Sequence, residues 1–159
     1  MPPDFMIETF DVVISFGFVE HFRETAVCIQ ALSRFLKSGG LLITTTPNMF
    51  GLNGFLQKLI NRPVFDIHVP LSSEALTLAH DMAGLSLISC RYFLFAHFGV
   101  LNIDNLKGSL LYPVLPRLRT LMNVTVWSFE RAISVLKPNG WSSPYITCLA
   151  VKGGKKIPD

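Results

Sequence analysis

Glu20 and His21 are adjacent residues whose side chains can bind and release protons. They follow Phe10–Ile14, a run of β-branched and aromatic residues typical of a strand buried on both faces of a parallel sheet. Ser15 and Gly17 end that run, and a long helical pattern begins just beyond His21. In open α/β sheets, ligands bind where parallel strands lead into helices. The sequence therefore predicts a ligand site in the loop after this strand.

The elements that must position this loop form a strand, helix, strand unit. Apolar periodicity predicts a helix from about Arg23 to Lys37, ended by Gly39, and then a strand over Leu41–Thr45 that Pro47 closes. Such a unit is expected to have parallel strands and a right-handed crossover. The loop after the second strand, from Thr46 to Gly54, then opens on the same edge as the first loop.

Further elements follow in chain order. A short helix is predicted within Met49–Ile60, a second helix between a Ser72 or Ser73 cap and Gly84, and a strand over Leu85–Phe93. From Ala96 to Ser143 the chain makes a long excursion, with a helix of about twenty residues from Pro116 to Leu136. A closing strand runs from Tyr145 to Val151. We expect the excursion to form a helical lid over the loops, or else a helix packed on the sheet.

Composition narrows the classes of protein. Hydrophobic residues make up 50% of the 159 residues, charged residues make up only 16%, and the mean hydropathy is +0.43. This composition argues against disorder, and it suggests an apolar surface that another molecule covers. Basic residues are scattered apart from a terminal tail, so no nucleic-acid partner is expected. Three dispersed cysteines predict reduced, buried thiols, as in a cytoplasmic protein. The N-terminal residues show no signal-peptide pattern. The four histidines are too dispersed to predict a metal site.

The letters FDVVIS and EH, followed by LKSGGLLIT, resemble the fourth strand, fourth helix and fifth strand of class I S-adenosylmethionine-dependent methyltransferases of the type 11-like group. The resemblance continues through His68 to the last strand. It implies an α/β fold: the C-terminal half of a Rossmann-like methyltransferase sheet, strands four to seven. The last strand would lie antiparallel between the second and third seen here, after a helical insertion at 96–143. Residues 1–159 would be one partial domain, because the Gly-rich turn and acidic residue that hold the cofactor in this family have no counterpart before Met1.

The resemblance also assigns residues. It implies S-adenosyl-L-methionine as cofactor, bound by Ser15, Phe16, Gly17 and Glu20 of the first loop. It implies two histidines that could act as bases, His21 and His68. It also implies three residues that line the substrate pocket, Asn48, Tyr92 and His97. Structural roles are the alternatives: an ordinary strand-to-helix turn at Ser15–Gly17, a helix cap at Glu20, packing of His21 beneath the loop, a backbone hydrogen bond for His68 and core packing for His97.

The function expected from this resemblance is methyl transfer to a small, lipophilic acceptor, carried out by the C-terminal part of a larger enzyme. The chain by itself should bind the cofactor poorly. A first alternative is a non-enzymatic module that self-associates or pairs with a partner through the open edge of the Phe10–Ile14 strand. A second is a peripheral membrane protein that uses the Pro116 to Leu136 helix.

Overall fold

The computed structural model describes residues 6–132 and 136–153. Its strands are β1 (Phe10–Phe16), β2 (Leu36–Pro47), β3 (Leu85–Phe93) and β4 (Tyr145–Lys152). Its α-helices are α1 (Thr25–Ser33), α2 (Leu52–Ile60), α3 (Arg62–Asp66), α4 (Ser73–Met82) and α5 (Leu115–Ala132). Short 3₁₀ helices lie at Val19–His21, Phe98–Val100 and Asp104–Leu106. No helix in the described ranges is long and apolar enough to cross a membrane.

The four strands form one sheet in the order β1-β2-β4-β3. β1 and β2 are parallel, with Ile14 opposite Ile43. β4 runs antiparallel to β2, since the hydroxyls of Thr45 and Thr147 are 3.0 Å apart while Lys152, at the other end of β4, donates to the carbonyl of Leu36. The predicted strand order and the antiparallel last strand are therefore confirmed.

The described chain divides into two compact units. The sheet unit comprises residues 6–46, 71–91 and 146–153, and within it α1 packs against α4. The helical unit comprises residues 47–70, 92–132 and 136–145, and holds α2, α3 and α5. The helical unit thus includes most of the predicted excursion together with the segment that follows β2. The lid itself stays a prediction.

The core strand predicted at Phe10–Ile14 is instead an exposed edge strand. Its outward face carries Phe10, Val12, Ile14 and Phe16, which are 40%, 47%, 67% and 64% exposed. β1 ends the strand order, and among the described residues no strand pairs with its outer edge. The apolar composition was read correctly as a strand, but burial depends on neighbours that a local run of residues does not reveal. The predicted open edge is confirmed.

The helix predicted from Arg23 to Lys37 ends at Ser33, and β2 begins as early as Leu36. Between the pairs Phe10 with Leu36 and Val12 with Leu41 the register shifts, so the six residues 36–41 of β2 face the three residues 10–12 of β1. Gly39, at φ +79°, provides the left-handed backbone of this bulge and is not a helix cap. The ammonium of Lys37 pairs with Asp11 at 2.8 Å across the two strands, away from any helix end.

The prediction of three reduced thiols is wrong for two cysteines. Cys90 of β3 and Cys148 of β4 form a disulfide between neighbouring strands, 58 residues apart in sequence. Cys28 on α1 is a free, half-buried thiol, as expected. The pair was missed because the sequence shows spacing along the chain, whereas these residues meet only after β4 inserts beside β3.

The helices α4 and α5 agree closely with their local signals, whereas α3 (Arg62–Asp66) was not predicted. Ser72 caps α4, since its hydroxyl accepts a hydrogen bond from the amide of Ala75 at 3.1 Å. α5 begins at Leu115, next to the predicted Pro116. Its predicted end at Leu136 falls beyond α5, and residues 133–135 lie outside the described residues.

Candidate functional site

Three buried side-chain oxygens at the carboxyl ends of β1 and β2 have no hydrogen-bond partner among the described residues. They are Ser15 Oγ, Glu20 Oε2 and Thr46 Oγ1. Their residues are 5%, 2% and 0% exposed, all within the sheet unit. A buried polar atom without a partner costs stability, and such atoms are rare in folded proteins. These oxygens therefore mark a place where a ligand with hydrogen-bond donors would be stabilised.

The β-ladder brings the three residues into one region. Ser15 is paired with Thr44 on β2, and the amide of Gly17 donates to the carbonyl of Thr45 at 3.0 Å, one residue before Thr46. Gly17 has φ +63°, and a Cβ built on it would lie 3.6 Å from Glu20 Oε1. The positive φ turns the chain sharply after β1, so that the 3₁₀ helix Val19–His21 brings the Glu20 carboxyl back beside the strand end.

Burial raises the pKa of the Glu20 carboxyl, and its backbone hydrogen bond and the neighbouring His21 oppose that rise only in part. The carboxylate is thus less stable here than in water. A cationic ligand beside it would favour ionisation and recover part of that cost. The loop can therefore bind a small group that combines positive charge with N–H donors.

The other predicted residues of this loop have different surroundings. Phe16 is the last residue of β1, and its ring is 64% exposed. The His21 side chain is exposed, and its backbone amide donates to Phe18 at 3.2 Å. The structure therefore brings Ser15, Gly17 and Glu20 together, and a ring nitrogen of the exposed His21 lies within 4.8 Å of a Glu20 carboxylate oxygen. Phe16 lies at the surface of the same loop.

The helical unit contains a cavity of about 40 Å³. Its lining includes the predicted residues Asn48 and His68, together with Asn53 and Gln57 of α2. His68 Nδ1 lies 2.6 Å from the carbonyl of Val64. Because a carbonyl only accepts, Nδ1 carries the proton, and Nε2 is the basic nitrogen of the neutral ring.

Polar atoms around this cavity are largely used by the fold. The Asn48 amide donates to the carbonyls of Gly140 and Ser143 at 2.8 and 3.0 Å, so its nitrogen is committed to structure. Asn53 donates to the carbonyl of His97 at 3.0 Å, whereas its Oδ1 is buried and has no partner in the described part of the chain. Asn53 is therefore the residue of this cavity that can accept a further hydrogen bond.

The two remaining predicted pocket residues do not line the cavity. The His97 ring caps the 3₁₀ helix Phe98–Val100, with Nδ1 accepting from the amide of Gly99 at 3.1 Å. The Tyr92 hydroxyl lies against Gly140, where a Cβ would approach it to 3.1 Å. Both are half-buried. These contacts favour structural roles for the two side chains.

Sequence reasoning missed Thr46, Asn53 and His80. Thr46 and Asn53 lie in the predicted loop segment Thr46 to Gly54, but nothing in their types distinguishes them from neighbouring polar residues. His80 is fully buried on α4, where Nδ1 donates to Leu76 at 2.7 Å and Nε2 accepts from Thr44 at 3.0 Å. Its position three residues before the end of a helical apolar pattern gave no sign of this contact.

A family model described as a methyltransferase domain matches residues 2–44, which contain β1, α1 and most of β2. A SAM-dependent methyltransferase from Thermotoga maritima superposes with a TM-score of 0.60 at 16% identity, covering 96% of this chain and 59% of its own. A SAM-dependent methyltransferase from Archaeoglobus fulgidus superposes with a TM-score of 0.51 at 15% sequence identity, and the match covers 92% of this chain and 61% of that protein. The cyclase SpnF superposes with a TM-score of 0.55 at 14% sequence identity, and the match covers 98% of this chain and 53% of the cyclase. No protein of curated function matches the sequence.

The fold is therefore that of the class I SAM-dependent methyltransferases, and the resemblance found in the sequence is confirmed at this level. The chain spans about three fifths of the length of the two methyltransferases and about half that of the cyclase. Because a cyclase is among the structures with this fold, the fold does not by itself fix the reaction.

Proposed function

We propose that the chain binds S-adenosyl-L-methionine at the carboxyl ends of β1 and β2 and contributes to methyl transfer to a small acceptor. The observation that carries this proposal is the set of three buried, unpartnered oxygens of Ser15, Glu20 and Thr46. They lie at the strand ends where ligands bind in open α/β sheets. The matched family model spans two of the three residues and ends two residues before Thr46.

The residues fit this cofactor chemically. Its methionine end carries an ammonium group with three N–H donors, and the site offers a carboxylate and two hydroxyls as acceptors. The raised pKa of Glu20 means that the carboxyl carries its negative charge at a cost, which a bound cation would reduce. Gly17 leaves room for a ligand to approach the backbone, since it presents no side chain there.

When bound, S-adenosyl-L-methionine supplies an electrophilic methyl group on a positively charged sulfur. The chain then has to orient the acceptor and remove its proton. We assign His21 and His68 as the candidate bases, as the resemblance implies. His68 is suited to this role because its Nδ1 proton is fixed by Val64, which leaves Nε2 as the basic atom. His21, at the surface of the loop, is suited by its exposure.

A lipophilic acceptor is the substrate class that we propose. The helical unit has a second, apolar cavity of about 200 Å³ between α2, the 98–103 segment and α5. Its lining is almost entirely aliphatic or aromatic, with Arg119 as the one charged residue: Leu56, Ile60, Phe98, Leu101, Ile103, Leu115, Leu118, Arg119 and Met122. A cavity of this composition stabilises apolar groups.

We further propose that this activity belongs to a larger assembly of which the chain is the C-terminal part. This proposal is supported because the chain matches only 61% and 59% of the lengths of the two methyltransferase structures. The exposed outer face of β1 also supports it. The second candidate function is a non-enzymatic module that pairs through β1, and it is favoured by the same exposed strand.

Titration calorimetry of the full chain with S-adenosyl-L-methionine tests the cofactor site. We expect weak binding that Glu20→Gln reduces about tenfold, the loss of roughly one charge-assisted hydrogen bond. Glu74→Gln, at an exposed carboxylate in the first turn of α4, is the matched control and should bind like the wild type. Binding that Glu20→Gln leaves unchanged would place the cofactor elsewhere. No binding by the wild-type chain would favour the non-enzymatic module.

A further inference from the structure

The helix α5 has an exposed apolar face, most of which lies outside the cavity proposed for the acceptor. Five large residues on this face recur at helical spacing and are 40% to 63% exposed: Val114, which precedes the helix by one residue, and Leu118, Leu121, Met122 and Phe129. Leu110 and Leu111, just before the helix, are 98% and 66% exposed. The opposite side of α5 is tied to the helical unit, since Asn123 and Glu130 accept from the amides of Phe98 and Phe95. α5 is therefore held with its apolar face outward.

This exposed face continues into the apolar cavity of the helical unit. Leu118 and Met122 line the cavity of about 200 Å³ and also form part of the exposed face. An apolar chain lying on α5 could therefore insert between α5 and α2 without crossing polar surface. A flat protein interface would leave this cavity unfilled, whereas lipid tails could enter it.

The charge around the helix is strongly asymmetric. From Asp104 to Lys137 there are five basic and two acidic residues, whereas the other residues of the chain carry nine of each sign. The whole net charge of +3 thus belongs to this segment. Asp104 and Lys107 pair at 2.8 Å and neutralise each other, and Arg119 donates to the carbonyl of Leu101 at 2.9 Å. Glu130 accepts from the amide of Phe95 at 2.6 Å. Arg117 is exposed beside the apolar face.

We propose that α5 and the preceding residues 110–114 form a docking surface for the anionic face of a lipid membrane, with the helix lying in the plane of the interface. An amphipathic helix with an apolar face and neighbouring cations binds such a surface by burying its apolar side chains among the acyl chains while its cations contact acidic headgroups. This inference does not depend on cofactor binding. It also fits the proposed lipophilic acceptor, which such a surface would bring to the enzyme.

Vesicle flotation with the full chain tests the proposal. The probes are vesicles of phosphatidylcholine alone and of equimolar phosphatidylcholine and phosphatidylglycerol. We expect binding to the anionic vesicles that salt weakens, since screening reduces the attraction between Arg117 and the headgroups. Arg117→Glu should lower partitioning about tenfold, because each charge near an anionic surface is worth several-fold in binding. Leu121→Glu should lower it at least as much.

Leu78→Glu is the matched control, because Leu78 is a similarly exposed leucine, 59% exposed, on α4 of the sheet unit. It should float like the wild type, and circular dichroism should show that all variants are folded. Absence of binding to the anionic vesicles overturns the proposal, as does equal binding to both kinds of vesicle or equal loss in Leu78→Glu. A homodimer that Leu121→Glu dissociates, without vesicle binding by the wild type, would show that the face is a protein interface and would also overturn it.

Discussion

Glu20 is the residue at which stability and proposed function oppose each other. Its carboxyl is buried, one oxygen has no partner in the described chain, and burial raises its pKa. Between the usual pKa of 4.5 and the raised value, the folded protein keeps a proton that the unfolded chain has lost. The stability that the protonated form provides is therefore present below 4.5 and is lost as pH rises through the folded pKa. At neutral pH the buried carboxylate is therefore expected to weaken the fold.

We expect Glu20→Gln to raise the free energy of unfolding by about 1 kcal/mol at neutral pH, the scale of a buried polar group without a partner. The gain should shrink as pH falls from the raised folded pKa towards 4.5 and stay level below 4.5, where the wild-type carboxyl is protonated in both states. Urea unfolding monitored across this pH range measures it. A variant less stable than the wild type at neutral pH would show that the carboxylate is satisfied. Greater stability combined with weaker cofactor binding would show that the binding loss is not caused by unfolding.

At the scale of elements, the contact between β2 and α4 depends on a buried histidine. His80 bridges the carbonyl of Leu76 and the hydroxyl of Thr44, and both of its nitrogens are used. Burial lowers its pKa, so at pH below 6.5 the unfolded chain binds a proton that the folded protein does not. This histidine therefore stabilises the fold at neutral pH, and that contribution declines as pH falls from 6.5 towards the folded pKa.

Thr44→Val removes the donor to His80 Nε2 while nearly keeping the side-chain volume. We expect it to lower the free energy of unfolding by about 1 to 2 kcal/mol at neutral pH, because a buried nitrogen loses its partner. Thr125→Val, at an exposed threonine of α5, should change it by less than about 0.5 kcal/mol. Urea unfolding above and below pH 6.5 measures both variants. Equal effects of the two substitutions would contradict a structural role for the Thr44 contact.

Helices and strands marked by caps, glycines or apolar periodicity in the sequence were predictable. Contacts between elements that are distant along the chain were harder to predict. β3 has the predicted bounds, Leu85–Phe93, because a capped helix and Gly84 precede it. The prediction that β1 is buried was wrong, since the same apolar run suits a central strand or an uncovered edge strand. The site was predicted in part: Ser15, Gly17 and Glu20 do meet, because a strand, a turn and a 3₁₀ helix adjacent in sequence fix their positions. Thr46 and His80 were missed because their roles depend on neighbours distant along the chain.

For the molecule as a whole, the outer edge of β1, with which no strand of the described residues pairs, is the feature on which the two candidate functions differ. The amide of Gly17 points to β2, and backbone groups alternate along a strand, so those of Ile14 point away from β2. The one charged side chain of β1, Asp11, is paired with Lys37. The edge thus has no unpaired charge of the kind that protects natural edge strands. An enzyme assembled with further strands would cover this edge, whereas a pairing module would use it.

We expect the isolated 159-residue chain to self-associate through β1, with a sedimentation coefficient that rises with concentration. Ile14→Lys places a charge at the most exposed apolar position of the strand and should shift the equilibrium to monomer by roughly tenfold in dissociation constant, the effect of burying one unpaired charge at an edge. Leu59→Lys, at an equally exposed leucine of α2, is the control and should leave association unchanged. Association lost equally in both variants would mean that general hydrophobicity drives it. A wild-type chain that stays monomeric and binds S-adenosyl-L-methionine would count against the pairing module, because the exposed strand would then not require a partner for the site to form.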